Sequence, residues 1–259
     1  MTNHNTLTFP VAVFLCLVVM LFTFSCAILL TLAIPDISLG TAAWMNIPGF
    51  FAGILLGIKL TGIPASYLFR IKRISIDMLI GTLFGSFGLI LVMAEVDNYI
   101  LYYLPMPLEI IELFKTLISG STGFFVVVIM APVTEELFFR GMILKGLGLK
   151  YKPAMTICIS AFLFGAIHLN PWQLIPAFGA GIFIGWLYLV TNNILLCIFV
   201  HALNNGLAYI MEILNINIQG LAYDIEKGVQ FQPHWVTFLG SVLLGIGIFM
   251  LNKSKTNVI

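Results

Sequence analysis

The chain has 259 residues, of which 60% are hydrophobic and only 9% are charged. Soluble domains carry about 25% charged residues, so this composition excludes an ordinary water-soluble protein. The formal net charge of +1 supplies no large positive field, which excludes nucleic acid as a partner. The four cysteines stand singly in apolar runs without the paired spacing of zinc or redox motifs, and we interpret them as packing residues.

Long apolar segments recur along the chain. A helix needs about 20 mostly apolar residues to cross a bilayer, and this rule predicts eight spans. Their predicted bounds are 10–34, 43–62, 77–95, 121–144, 153–169, 171–190, 193–211 and 234–251. The predicted fold class is therefore all-α, a polytopic transmembrane helix bundle. We interpret residues 1–259 as one integral membrane domain whose partner is the lipid bilayer, because no linker divides them.

Charged residues between the spans predict the orientation of the bundle. Basic residues follow the second, fourth and eighth spans, whereas the opposite side collects acidic residues: Asp36, Glu95, Asp97, Glu212, Asp224 and Glu226. The positive-inside rule then predicts that both termini are cytoplasmic. Between the third and fourth spans, Glu109, Glu112 and Lys115 recur at a three-residue interval, which predicts an amphipathic helix in the membrane interface. A buried ninth span is disfavoured because it would carry three charges into hydrocarbon.

The fourth predicted span carries two adjacent carboxylates, Glu135 and Glu136. Charged side chains inside a membrane are costly and mark functional sites. Glu136 and Arg140 are four residues apart and share a helix face, whereas Glu135 points about 100° away. The two acids therefore have different predicted tasks, and a purely structural ion pair is the alternative for Glu136 and Arg140. Pro132 predicts a kink one turn before Glu135.

Two further spans carry imidazole groups. His168 ends the fifth predicted span, and it lies about as far from the connecting loop as Glu135 does in the preceding helix. Antiparallel neighbours would hold these two groups at one depth, where they can share a water molecule. In the seventh span, His201 and Asn205 lie four residues apart on one face, and both can donate hydrogen bonds. Counting residues places them roughly one or two helical turns from the level of His168.

Three motifs together resemble those of the CPBP intramembrane proteases: Glu135-Glu136-xxx-Arg140, Phe164-xxx-His168 and His201-xxx-Asn205. This family includes CAAX endopeptidases that trim prenylated proteins, together with bacteriocin-processing and self-immunity enzymes. The resemblance covers about residues 121–210, which it marks as the catalytic core. It implies that Glu135 and His168 activate the attacking water and that His201 and Asn205 stabilise the oxyanion. Glu136 and Arg140 would then hold the helix and tune Glu135.

The resemblance implies an intramembrane endopeptidase that acts on a peptide or membrane-protein substrate. We favour a mechanism without a cofactor; zinc is the alternative, with Glu135, His168 and His201 as ligands and water in the fourth position. A non-catalytic membrane scaffold or a bacteriocin immunity factor of the same family is the second function. A small transporter ranks last because no internal repeat is visible. The compact chain resembles bacterial members, which implies the plasma membrane of a bacterium.

Overall fold

A computed structural model describes residues 6–34, 37, 39–118, 120–221 and 227–256. The helices, in chain order, are α1 (Phe9–Ala33), α2 (Leu39–Ala42), a short 3-10 turn (Ala43–Met45), α3 (Asn46–Thr61), α4 (Ala65–Leu68), α5 (Ile76–Tyr103), α6 (Leu108–Ile118), α7 (120–147), α8 (Pro153–Ala166), α9 (Pro171–Thr191), α10 (Ile194–Ile213) and α11 (His234–Thr256). The predicted all-α membrane bundle is confirmed. Asp36, Asp224 and Glu226, which we expect on the side opposite the basic residues, lie outside the described residues.

Six helices in the described ranges are long and apolar enough to cross a membrane, judged by length and composition: α1, α3 with its preceding turn, α5, α9, α10 and α11. The other two predicted spans are different. The 14 residues of α8 are fewer than the about 20 that a bilayer requires. The helix α7 alternates between α-helical and π-helical geometry, with π-helical stretches at Phe124–Met130 and Leu137–Leu144. Every side chain from Phe138 to Leu144 is buried, so protein rather than lipid surrounds this part of α7.

The third predicted span ends too early, because α5 continues from residue 95 to Tyr103. The carboxylate of Glu95 has partners inside the protein: it accepts hydrogen bonds from the backbone N–H of Gln232 and from Asn98 Nδ2, both at 2.9 Å. A paired acid costs far less to bury than an isolated one. The sequence pattern predicts that Glu95 and Asp97 mark the end of this helix. Both residues instead lie within it.

The segment between the third and fourth predicted spans forms α6, as expected. Its 11 residues are too few to cross a bilayer. Ile111 is its buried side chain, and Glu109 and Glu112 are exposed. This distribution agrees with an amphipathic helix that rests against the bundle by one face.

Close helix contacts determine which side chains meet in the middle of the bundle. The central helix α7 packs against α3, α8 and α10, while α1 packs against α3 and α5 packs against α11. Helices α5 and α11 approach so closely that a Cβ at Gly88 would lie 2.2 Å from the backbone nitrogen of Leu244. Helices α1 and α3 are in contact at Gly49, where a Cβ would lie 2.1 Å from the side-chain atom Thr23 Oγ1 and 3.1 Å from the backbone oxygen of Val19. As a result, the polar side chains of α7, α8 and α10 face one another inside the protein.

Candidate active site

The carboxylate of Glu136 is fully buried inside the bundle. Both Glu136 and Arg140 have no exposed surface. Glu136 Oε1 accepts hydrogen bonds from Arg140 Nη1 at 3.0 Å and from His201 Nδ1 at 2.9 Å. Because a carboxylate only accepts, His201 Nδ1 carries the hydrogen, and its Nε2 is left for another partner. Glu136 therefore joins α7 to α10 and fixes the orientation of the His201 ring.

An aromatic ring separates the two histidines. The Phe164 ring meets the His168 ring edge-on at 5.4 Å and the His201 ring edge-on at 5.5 Å between centroids. The Arg140 guanidinium lies over the face of the same ring, 4.5 Å from its centroid. Sequence reasoning includes Phe164 only as the first residue of its motif and assigns it no contact. Its spacing of four residues from His168 is the signal that predicts their contact.

His168 lies in the turn between α8 and α9, because α8 ends at Ala166. Leu169, which follows it, has a left-handed backbone with φ of 56°. His168 Nδ1 lies 2.9 Å from the carbonyl oxygen of Phe164. A carbonyl accepts but cannot donate, so Nδ1 carries the hydrogen, and in the neutral ring Nε2 keeps its lone pair. The turn therefore holds His168 as the tautomer that can accept a proton at Nε2.

Glu135 and His168 border one cavity of about 190 Å³. The side chains that complete its lining are Val19, Met20, Thr23, Phe24, Asn46, Phe50 and Ile167. Glu135 Oε2 is buried and has no hydrogen-bond partner within the described ranges. One water molecule occupies about 30 Å³ in the liquid, so the cavity has room for water and for part of a substrate. A carboxylate and an imidazole in such a space are suited to accept protons from a bound water.

Asn205 supports the central helix. Its Nδ2 donates to the carbonyl oxygen of Val127 at 2.9 Å. In this π-helical stretch the amide of Ala131 bonds to the carbonyl of Val126, five residues earlier. The next amide would serve Val127, but Pro132 has no N–H to donate. Asn205 thus supplies the missing donor and keeps a second N–H for another partner. This bond to the Val127 carbonyl is not evident from the sequence.

Five of the six predicted site residues form two groups, and the sixth, Asn205, is bonded to the Val127 carbonyl instead. Glu135 and His168 line the cavity, whereas Glu136, Arg140 and His201 form the buried hydrogen-bonded cluster. Neither His201 nor Asn205 is part of the cavity lining. The Phe164 ring, in contact with both imidazoles, lies between the two groups.

The three alternative zinc ligands, Glu135, His168 and His201, do not form a close cluster within the described residues. Across the ranges that the structure describes, no three His, Cys, Asp or Glu residues are close enough together to hold a metal ion. The alternative ligands Glu135, His168 and His201 are therefore not gathered around one point. His201 Nδ1 is bonded to Glu136, and His168 Nδ1 is bonded to a backbone carbonyl.

Sequence comparison connects this geometry to known enzymes. Residues 118–207 match the family model of the type II CAAX prenyl endopeptidases, Rce1-like. The family resemblance predicted from the three motifs is confirmed. The match covers roughly a third of the chain and includes both groups of site residues. No curated protein matches the chain. Because the family consists of endopeptidases, the match supports a protease embedded in the membrane.

Proposed function

We propose that the chain is an intramembrane endopeptidase that hydrolyses a peptide bond with a water activated by Glu135 and His168. One observation carries this proposal: the side chains of Glu135 and His168 come from different segments of the chain and border the same cavity. Glu135 Oε2 is free of hydrogen bonds in the described ranges, and the His168 tautomer leaves Nε2 as an acceptor. These are the features that a general base and a water-orienting group need.

The reaction begins when a water bound between Glu135 and His168 gives a proton to the Glu135 carboxylate. Its oxygen forms a bond to the carbonyl carbon of the scissile amide, and the carbonyl electron pair moves to the oxygen. The second N–H of Asn205 donates to this oxyanion, and His201 Nε2 donates when its ring carries both protons. Protonated Glu135 then gives its proton to the amide nitrogen, the C–N bond breaks, and an amine and a carboxylic acid leave.

The substrate must bridge the two groups of side chains. His201 and Asn205 lie outside the cavity lining, so the scissile carbonyl has to extend from the cavity toward them. Glu136 acts through His201 as a positioning residue, because it fixes the ring at Nδ1. Arg140 in turn holds Glu136 at 3.0 Å.

A peptide or a membrane protein is the proposed substrate, and the name of the matched family makes a prenylated CAAX peptide the first to test.

We propose that the basic end of the bundle faces the cytoplasm of a bacterium, with the protein in the plasma membrane. At this end Lys145 Nζ donates to Asn192 Oδ1 at 2.6 Å. The backbone N–H of Phe9, at the start of α1, donates to the Tyr151 hydroxyl at 3.3 Å.

Replacement of Glu135 by Gln tests the function, because it keeps the shape of the side chain and removes the base. Membranes from cells that make the wild-type protein or Glu135→Gln would be compared for protein fragments, and both proteins would be assayed with a farnesylated CAAX peptide. We expect the variant to lose the fragments and kcat/KM to fall on the order of 100-fold or more. Glu109→Gln, which changes an exposed acid of α6, is the matched control.

Unchanged fragments together with unchanged peptide turnover in Glu135→Gln would reject the protease. A cellular phenotype that requires the protein but persists in Glu135→Gln would instead support the scaffold or immunity function.

A further inference from the structure

One hydroxyl in the bundle lacks the hydrogen bond that its neighbours make. Ser and Thr in helices commonly donate to a carbonyl about one turn earlier in the same helix. Side chains that do so among the described residues are Thr31, Thr61, Thr82, Ser86, Thr116, Thr134, Thr191, Ser241 and Ser254. Thr23 Oγ1 on α1 is buried and makes no hydrogen bond within the part of the chain that the structure describes. A buried polar group without a partner is costly, so this hydroxyl requires a reason.

The position of the Thr23 hydroxyl depends on the glycine opposite. A Cβ at Gly49 would lie 2.1 Å from Thr23 Oγ1, which no real pair of atoms tolerates. Only glycine at this point of α3 leaves room for the hydroxyl where it stands. Thr23 thereby borders the same cavity as Glu135 and His168.

Asn46, at the start of α3, is the other neutral polar side chain of the cavity lining. Asn46 is half-buried. One wall of the cavity therefore carries the ionisable side chains of Glu135 and His168. The other wall, formed by α1 and α3, carries the neutral polar side chains of Thr23 and Asn46. Apolar side chains complete it.

We propose that Thr23 and Asn46 bind the main chain of the substrate peptide, so that the peptide lies between α1 and α3 on one side and Glu135 and His168 on the other. This inference rests on the proposed protease function. An extended peptide in a water-poor environment must find partners for its N–H and C=O groups. A hydroxyl and a carboxamide can each donate and accept, so they can serve both kinds of group.

The apolar part of the lining specifies the class of peptide. Met20, Phe24, Phe50 and Ile167 surround the polar groups, so a peptide with an aliphatic or aromatic side chain next to the scissile bond fits. Both α1 and α3 lie outside residues 118–207, the segment that the family match covers. The substrate-binding wall thus comes from a part of the chain that the catalytic motifs do not include.

Thr23→Val tests the inference, since valine keeps the shape of threonine and removes the hydroxyl. The probe is the farnesylated CAAX peptide, or a synthetic peptide that spans a Glu135-dependent cut found in the membrane comparison. We expect KM to rise roughly 3- to 10-fold, the effect of one lost hydrogen bond, with kcat changed less than about 2-fold. In a Glu135→Gln background, Kd for the uncleaved peptide should rise by the same factor.

Three further variants make the test specific. Thr31→Val is the matched control on the same helix, because its exposed hydroxyl donates to the Ile28 carbonyl away from the cavity; it should leave KM unchanged. Thr23→Ser retains a hydroxyl and should restore most of the affinity. Asn46→Leu should raise KM like Thr23→Val, and it decides the matter if Thr23→Val does not fold.

The outcomes separate this inference from the protease function. If Glu135→Gln abolishes cleavage while Thr23→Val and Asn46→Leu match Thr31→Val in KM and Kd, only the proposed binding wall is wrong. If Glu135→Gln cleaves as the wild type does, the protease function is wrong and the binding wall is rejected with it.

Discussion

Arg140 offers the sharpest test of what holds the two groups of site residues together. Its side chain has no exposed surface. It donates to Glu136 Oε1 at 3.0 Å, and its guanidinium covers the Phe164 ring at 4.5 Å. Arg140→Met keeps the length and much of the volume of the side chain but removes the positive charge.

The expected loss of stability follows from the charge that stays behind. Glu136 would remain fully buried with His201 as its hydrogen-bond donor. Removing one partner of a buried ion pair costs about 3–5 kcal/mol, since the other charge is left without compensation. For a chain of this size each kcal/mol lowers Tm by about 2–4 °C, so Tm should fall by roughly 6 to 20 °C.

Thermal unfolding of the protein purified in detergent measures this difference. The double variant Glu136→Gln with Arg140→Met should melt above the Arg140→Met single variant, because no buried charge is left unpaired. Arg73→Met, an exposed arginine between α4 and α5, is the control and should melt near the wild type. A Tm of Arg140→Met equal to that of Arg73→Met would refute the argument from the buried charge.

Two other predictions concern helix contacts. Gly88→Ala should destabilise the protein by about 1–3 kcal/mol, because its Cβ would lie 2.2 Å from the Leu244 backbone. The control Gly245→Ala places its Cβ within 4 Å of no atom and should melt like the wild type. Equal Tm values for the two variants would contradict this prediction. Asn205→Leu should lower the free energy of unfolding by about 1–3 kcal/mol, because the Val127 carbonyl loses its donor. Adding Pro132→Ala to this variant restores a backbone N–H and should raise Tm again. A further fall in Tm would show that Val127 does not need a donor.

The positions of most helices follow from the sequence because the length of an apolar run is a local property. Helices α1, α9, α10 and α11 begin and end within a few residues of the predicted bounds. The end of α5 does not follow, because Glu95 is compensated by Gln232, which lies 137 residues later in the chain. An acid with a distant partner and an acid at a helix end look the same in sequence.

The contacts of the site divide in a similar way. The pairing of Glu136 with Arg140 is predicted from a spacing of four residues. The bond from His201 to Glu136, and the missing hydrogen bond of Thr23, depend on how separate helices pack. The π-helical stretches of α7 are equally hidden, because a five-residue hydrogen-bond register leaves no pattern in an apolar run.

The ring of Phe164 has a mechanical consequence for the enzyme. It is the common wall of His168 and His201, and close-packed interiors transmit small displacements. A displacement of this ring therefore changes the geometry at both imidazoles together. Under the proposed mechanism, water activation and charge stabilisation cannot be adjusted independently at this position, and a single smaller side chain there would loosen both at once.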